Sequence, residues 1–241
     1  METKLFINKL KKIDVFNSKL ILNENKDVIN ELKIIYIKRF YSFSNSLLSL
    51  IPNMDSNKFS IISIAIILRT CMSDFITFGY LFGLVKKKQK KYEDEIRRFM
   101  AENLEFLHRD ISRIDDKKER DKLISIMKMK WSEYFVKDKN EIIKPLSKSV
   151  SKMAKELIDD GETIYKAAYD NYNYLSKFEH IGKLTLDLQG YHENNSSENI
   201  NKVAVAYALY FDSFTSVVNS INISKQRKIE LDELISDFKN L

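Results

Sequence analysis

Apolar residues recur at three- and four-residue steps through most of this chain, and that period predicts helices. Over 25–51 the positions Ile29, Leu32, Tyr36, Phe40, Phe43, Leu47 and Leu50 form one core-facing stripe. Asn23 or Asn25 is placed to cap that helix and Pro52 to end it. Over 57–85 the pattern changes character. The run FSIISIAIILRTCMSDFITFGYLFGLV is apolar around more than half of a helix circumference, with Ser63, Thr70, Asp74 and Thr77 as a narrow polar stripe. Asp55 or Ser56 caps it. From 86 to 122 the chain turns polar: 23 of 37 residues are charged, 13 basic and 10 acidic, and only Tyr92, Ile96, Phe99, Phe106 and Leu107 hold a thin stripe. A turn near 113–116 and a second stripe from Leu123 to Phe135 predict a charged helical hairpin over about 89–143. Val150, Met153 and Leu157 mark a helix that Gly161 stops. A helix over 162–181 ends at Gly182. After a loop over 182–197, Val203, Tyr207, Tyr210, Phe214, Val217 and Ile221 mark one over 198–222, and Ser224 caps a short last helix. Residues 1–22 read as no more than a weakly amphipathic lead-in.

These elements sum to an all-α fold. The expectation is a single domain over 1–241, an antiparallel bundle of about seven or eight helices. Its core helices are 25–51, 57–85, 162–181 and 198–222, and the charged hairpin protrudes. Composition agrees: two prolines and five glycines leave little punctuation, and 15 Phe with 12 Tyr are ample for a core. Cys71 is the single cysteine, so no internal disulfide is possible and a reducing compartment is expected. With no secretory leader pattern in METKLFINKLKKIDVF, the protein reads as cytoplasmic. Richness in Lys, Asn and Ile suggests a bacterial source. The net charge of +6 sets 40 basic against 34 acidic residues, which permits nucleic-acid binding without demanding it. The near balance within 86–122 favours a solvated hairpin laced with salt bridges.

Two charges, Arg69 and Asp74, sit inside the most apolar helix. Five positions apart, they lie roughly 140° apart around it. They flank the hydroxyl stripe and do not face each other, so each requires a partner on another helix. They also argue against a membrane span, since each opposes insertion by about 2.5–3.5 kcal/mol at a helix centre. A buried core helix is expected, and no membrane span.

The second informative stretch is YKAAYDNYNYLSKFEH. On a helix, Tyr165, Tyr169, Tyr172, Ser176 and His180 climb one row, with Glu179 beside it. An imidazole beside a carboxylate and a hydroxyl is what general acid–base chemistry uses. A structural role for a His near a helix end is the plainer alternative. Glu179, His180, Asp187, His192 and Glu193 fall within 15 residues, but without a metal-ligand signature, and no metal or other cofactor is expected. No Gly-rich phosphate cradle is present.

The pairing of Leu68-Arg69-x4-Asp74 with a later Tyr172-x2-Leu175-Ser176-x3-His180 resembles an uncharacterised group of all-helical bacterial proteins, similar in layout to the HEPN superfamily of helical ribonucleases and nucleotide-binding proteins of toxin and phage-defence systems. The resemblance covers about 25–222. HEPN ribonucleases carry Arg-x4–6-His on one helix, whereas here Arg69 and His180 lie on two. The resemblance implies that Arg69, Asp74, Ser176 and His180 converge as a catalytic site, with Tyr172 and Glu179 binding substrate and RNA or a nucleotide as partner. The alternative is a non-enzymatic interaction scaffold whose Arg/Asp/His network is structural. A homodimer is compatible with either.

Overall fold

A computed structural model describes residues 3–20, 27–54, 60–88, 92–179 and 196–239. The fold is an all-α helical bundle, with nine α-helices among the described residues. They are α1 Thr3–Ser18, α2 Val28–Leu50, α3 Ser60–Lys86, α4 Tyr92–Ser112, α5 Lys117–Lys130, α6 Val150–Asp159, α7 Ile164–Leu175, α8 Ser196–Asn219 and α9 Lys225–Lys239. The chain divides into two compact units, one of Met1–Tyr80 with Val150–Leu241 and one of Leu81–Ser149.

The first unit is built on aromatic side chains. Phe40 of α2 stacks on Phe214 of α8 with ring centroids 4.0 Å apart and touches Tyr207 and Tyr210. Tyr36 lies 4.6 Å from Phe78 of α3 and meets Tyr210 edge-on. Such pairs contribute about 0.5–1.5 kcal/mol each beyond their area burial. The stripes of α2 and α8 predicted that these residues face the core, because both put aromatics on one face at three- and four-residue steps.

Helix α1 is a correction. Residues 1–22 read as a lead-in, yet Phe6, Leu10, Ile13 and Phe16 are buried against α2, α8 and α9. Lys9 is buried too, its ammonium donating to the Asp237 carbonyl on α9 and lying over the Phe238 ring. A buried lysine and Asn17 dilute the apolar stripe, so the period is weak though the packing is complete. Other boundaries moved for local reasons. Asp27, rather than Asn23 or Asn25, caps α2 by accepting from the Asn30 amide at 3.2 Å. Helix α7 stops at Leu175 and tightens into a 3-10 turn, Ser176–Glu179, well before Gly182. Gly161 ends α6 as expected, at φ +90°, a conformation that favours glycine. Ser224 Oγ accepts from the Arg227 amide as the expected cap of the last helix. The predicted cap of α3 and the 182–195 part of the loop lie outside the described residues.

Helices α3 and α7 approach closely at one point. A Cβ on Gly79 would sit 2.1 Å from the Tyr165 hydroxyl and 2.5 Å from its ring, and that ring stacks on Phe75 at 4.9 Å. Glycine there is a packing requirement. Among the described residues α3 is the helix long and apolar enough to cross a membrane, but 61% of its most apolar window is buried.

In the second unit α4 and α5 pair around Ile124, Met127 and Phe135, with Leu104, Ile111, Trp131 and Ile142 packed alongside. Asp116 caps α5 by accepting from the Glu119 amide, so the predicted turn at 113–116 is in place. The segment after α5 is pinned by polar contacts. His108 Nε2 bonds the Asn140 carbonyl at 2.6 Å, Lys128 donates to the Lys139 carbonyl, and Arg98 donates to the Lys144 carbonyl. His108 therefore has a structural partner within this unit.

Candidate functional site

Asp74 is nearly enclosed, with 10% of its side chain exposed, and its partner is Arg39 of α2. Arg39 donates from Nε to Oδ2 at 2.5 Å and from a terminal nitrogen to Oδ1 at 2.8 Å, a bidentate fork. The Tyr210 hydroxyl donates to Oδ2 at 3.5 Å from α8. Burial pushes the Asp74 carboxyl above its ordinary value, and the Arg39 guanidinium pulls against that without cancelling it. Burial likewise raises Tyr36, Tyr210 and the thiol of Cys71, all packed about this corner. A carboxylate with both oxygens engaged and a thiol at 0% exposure are poor reagents and good anchors.

Arg69 is half-buried at the other edge of the same face. A terminal guanidinium nitrogen donates to the Tyr172 hydroxyl of α7 at 3.0 Å, and its central carbon lies 4.7 Å from the Tyr172 ring centroid. Tyr169 stacks on Tyr172 at 6.2 Å, so the phenol row predicted on this helix is real over that span.

Beyond the Arg69–Tyr172 contact α3 and α7 leave a groove of about 370 Å3. Its walls include Ile64 and Leu68 of α3, Leu175 and Phe178 at the end of α7, and Val203 and Ala206 of α8.

Of the residues singled out by sequence, Arg69 and Tyr172 meet. Asp74 is turned to Arg39 and Tyr210, as the angular separation along α3 requires. The Ser176 hydroxyl donates to the Asn173 carbonyl at 2.7 Å, within its own turn. His180, the Glu179 side chain and the carboxylate–His group at 187–193 lie outside the described residues. Among the described residues no group of three or more His, Cys, Asp or Glu is placed to hold a metal ion. Sequence reasoning missed Arg39, Tyr210 and the groove. Arg39 carried no signal that set it apart, since Lys38 stands beside it between the core positions Tyr36 and Phe40; Tyr210 was read only as core. No family model matches the chain, and neither a curated protein nor a solved structure matches it.

Proposed function

We propose that this protein is a non-enzymatic binding scaffold, in which the Arg39–Asp74–Tyr210 cluster fixes helix register and the α3–α7–α8 side of the bundle is the working surface. The observation that supports this is the engagement of Asp74: both its oxygens are taken by Arg39 and only 10% of its side chain is exposed, which leaves a general acid or base little access to a substrate. The Ser176 hydroxyl, spent on the Asn173 carbonyl, supports it further. In the experiment, labelled RNA is incubated with the purified protein, Arg69→Ala and His180→Ala. The scaffold predicts no cleavage by any of the three. Cleavage by the parent protein that both variants lose overturns it.

The second reading is an RNA- or nucleotide-handling protein of HEPN-like layout, acting in phage defence in a bacterial cytoplasm. What favours it is the meeting of Arg69 and Tyr172 across two helices paired in advance by their motifs. Arg69 would grip a phosphate, and His180 would serve as acid or base. Either reading accommodates a homodimer, which sizing by light scattering decides.

A further inference from the structure

Helices α1 and α9 pack side by side, and a groove of about 380 Å3 runs between them. The rings beneath fix their directions. Phe6 meets Tyr207 and Phe16 meets Phe214, so α1 runs parallel to α8. Phe238, near the end of α9, meets Tyr207 and Phe211, so α9 runs back along α8 and is antiparallel to α1. Lys12 pairs with Asp237 at 2.5 Å across the groove. Lys19 and Glu230 each stand seven residues along from that pair and so share one height. The α1 wall of the groove is cationic, with Lys11, Lys12 and Lys19, and the α9 wall is anionic, with Glu230, Glu233 and Asp237. Part of this charge is used within the chain, by the Lys12–Asp237 pair and by Arg227 on Glu230. Among the described residues Lys11, Lys19 and Glu233 have no ion pair, and all three are exposed.

We propose that two copies of the chain associate face to face through this α1–α9 surface, the cationic wall of each lying over the anionic wall of the other. A two-fold axis along the groove produces that arrangement. It turns the second copy over and keeps heights along the helices unchanged, so α1 of each copy covers α9 of the other. Lys19 of one copy then comes to the height of Glu230 in the other, Lys11 comes to that of Asp237, and Glu233 stands between the two lysines. The contact is isologous, so every attraction is made twice. A two-fold axis across the groove would instead lay lysine row on lysine row, and like charge opposes it. Val15, 51% exposed at mid-height on the α1 wall, is the apolar side chain that the second copy covers. The face is small. Helix α1 has 16 residues, about 24 Å, and two helices side by side span about 20 Å. That is about 500 Å2 on each copy, against roughly 800 Å2 per partner in a standard interface. The dimer is therefore weak, micromolar or above, and held largely by charge. This inference is independent of the reading of the α3–α7–α8 side.

The test is sedimentation of the full chain over a range of concentrations, at low and at high salt. A monomer–dimer equilibrium is expected whose dissociation constant rises by at least about tenfold between about 0.05 and 0.5 M salt. Two charge-reversed proteins sharpen it, with Lys12 and Asp237 left in place and helicity checked by circular dichroism. One carries Lys11→Glu with Lys19→Glu, the other Glu233→Lys. Each alone sets like charge on like charge and dimerises at least about tenfold more weakly than the parent. Mixed in equal amounts they pair, because the mixed dimer has opposite charges at both of its contacts. A parent chain that is monomeric at every concentration overturns the inference. So does association that salt leaves unchanged, or self-association of either variant as strong as the parent's. A mixture that pairs no better than its parts overturns it as well.

Discussion

Asp74 and Arg69 stand five residues apart on one apolar helix, and the protein treats them in opposite ways. Asp74 is walled in by α2 and α8, forked by Arg39 and desolvated enough to raise its pKa. Arg69 stays half-buried, laid over the Tyr172 phenol of α7. A charge in an apolar helix is therefore not in itself a mark of chemistry. The neighbours on other helices decide whether it is enclosed as an anchor or left half-buried, and here one of each is present.

The enclosed corner is where the largest effects lie. Burial raises Tyr36, Tyr207 and Tyr210 above the ordinary phenol value, and Tyr165 is pushed up to about 12. A phenol whose folded pKa exceeds its unfolded one contributes stability that is whole below the unfolded value, near 10, and is lost as pH climbs through the folded value. Alkaline titration should thus unfold the protein in one step: phenolate absorbance and loss of helical dichroism rise together above about pH 10. Full tyrosine ionisation with helicity intact would show the corner to be open.

Arg39→Met comes next, lowering the unfolding free energy by about 2–4 kcal/mol at neutral pH. The figure is discounted from that of a fully buried pair because the Arg39 side chain is 41% exposed. Without the guanidinium, the main influence holding the Asp74 pKa down is gone, and burial acts against the Tyr210 hydrogen bond alone. The folded state then binds a proton that the unfolded state releases. The deficit is largest above the folded pKa and shrinks as pH falls from there toward the unfolded value near 3.9. Urea melts at two pH values check this, and a deficit independent of pH refutes the enclosure of Asp74. Replacing Asp74 by Leu in the same chain should recover most of the loss.

Gly79→Ala forces the Tyr165 ring off Phe75 and should cost about 1–3 kcal/mol. Adding Tyr165→Ala relieves the overlap, so the double variant should lose less than the two single losses combined; strict additivity would place the ring elsewhere. The smallest effect belongs to the open corner. Arg69→Ala gives up the cation–π contact and the hydrogen bond to Tyr172, about 0.5–1 kcal/mol by thermal melting. A loss there equal to that of Arg39→Met would erase the distinction between the corners.

The fold class and most elements were legible because amphipathic stripes are local. Phe40, Tyr207, Tyr210 and Phe214 announce their burial by spacing alone. Helix α1 was not, since Lys9 and Asn17 occupy core positions in it, and Lys9 finds its place only against α9, more than two hundred residues away. The site was legible in part. That Arg69 and Asp74 need separate partners follows from helix geometry. That the partners are Tyr172 and Arg39 does not, because pairings 103 and 35 residues apart leave no trace in a local pattern. The end of α7 at Leu175 was hidden too, since Ser176 bonding its own turn is a choice between two nearly equal helical geometries.

The division of the chain has a consequence for how it is made. The first unit needs both its early and its late segments, since α1 and α2 are completed by α8 and α9. The second is one uninterrupted stretch. A ribosome adding about 5–20 residues per second keeps the greasy faces of α2 and α3 waiting on the order of ten seconds for α8. Over that interval those faces lack the late helices they pack on, while the inserted stretch already has every residue of its unit.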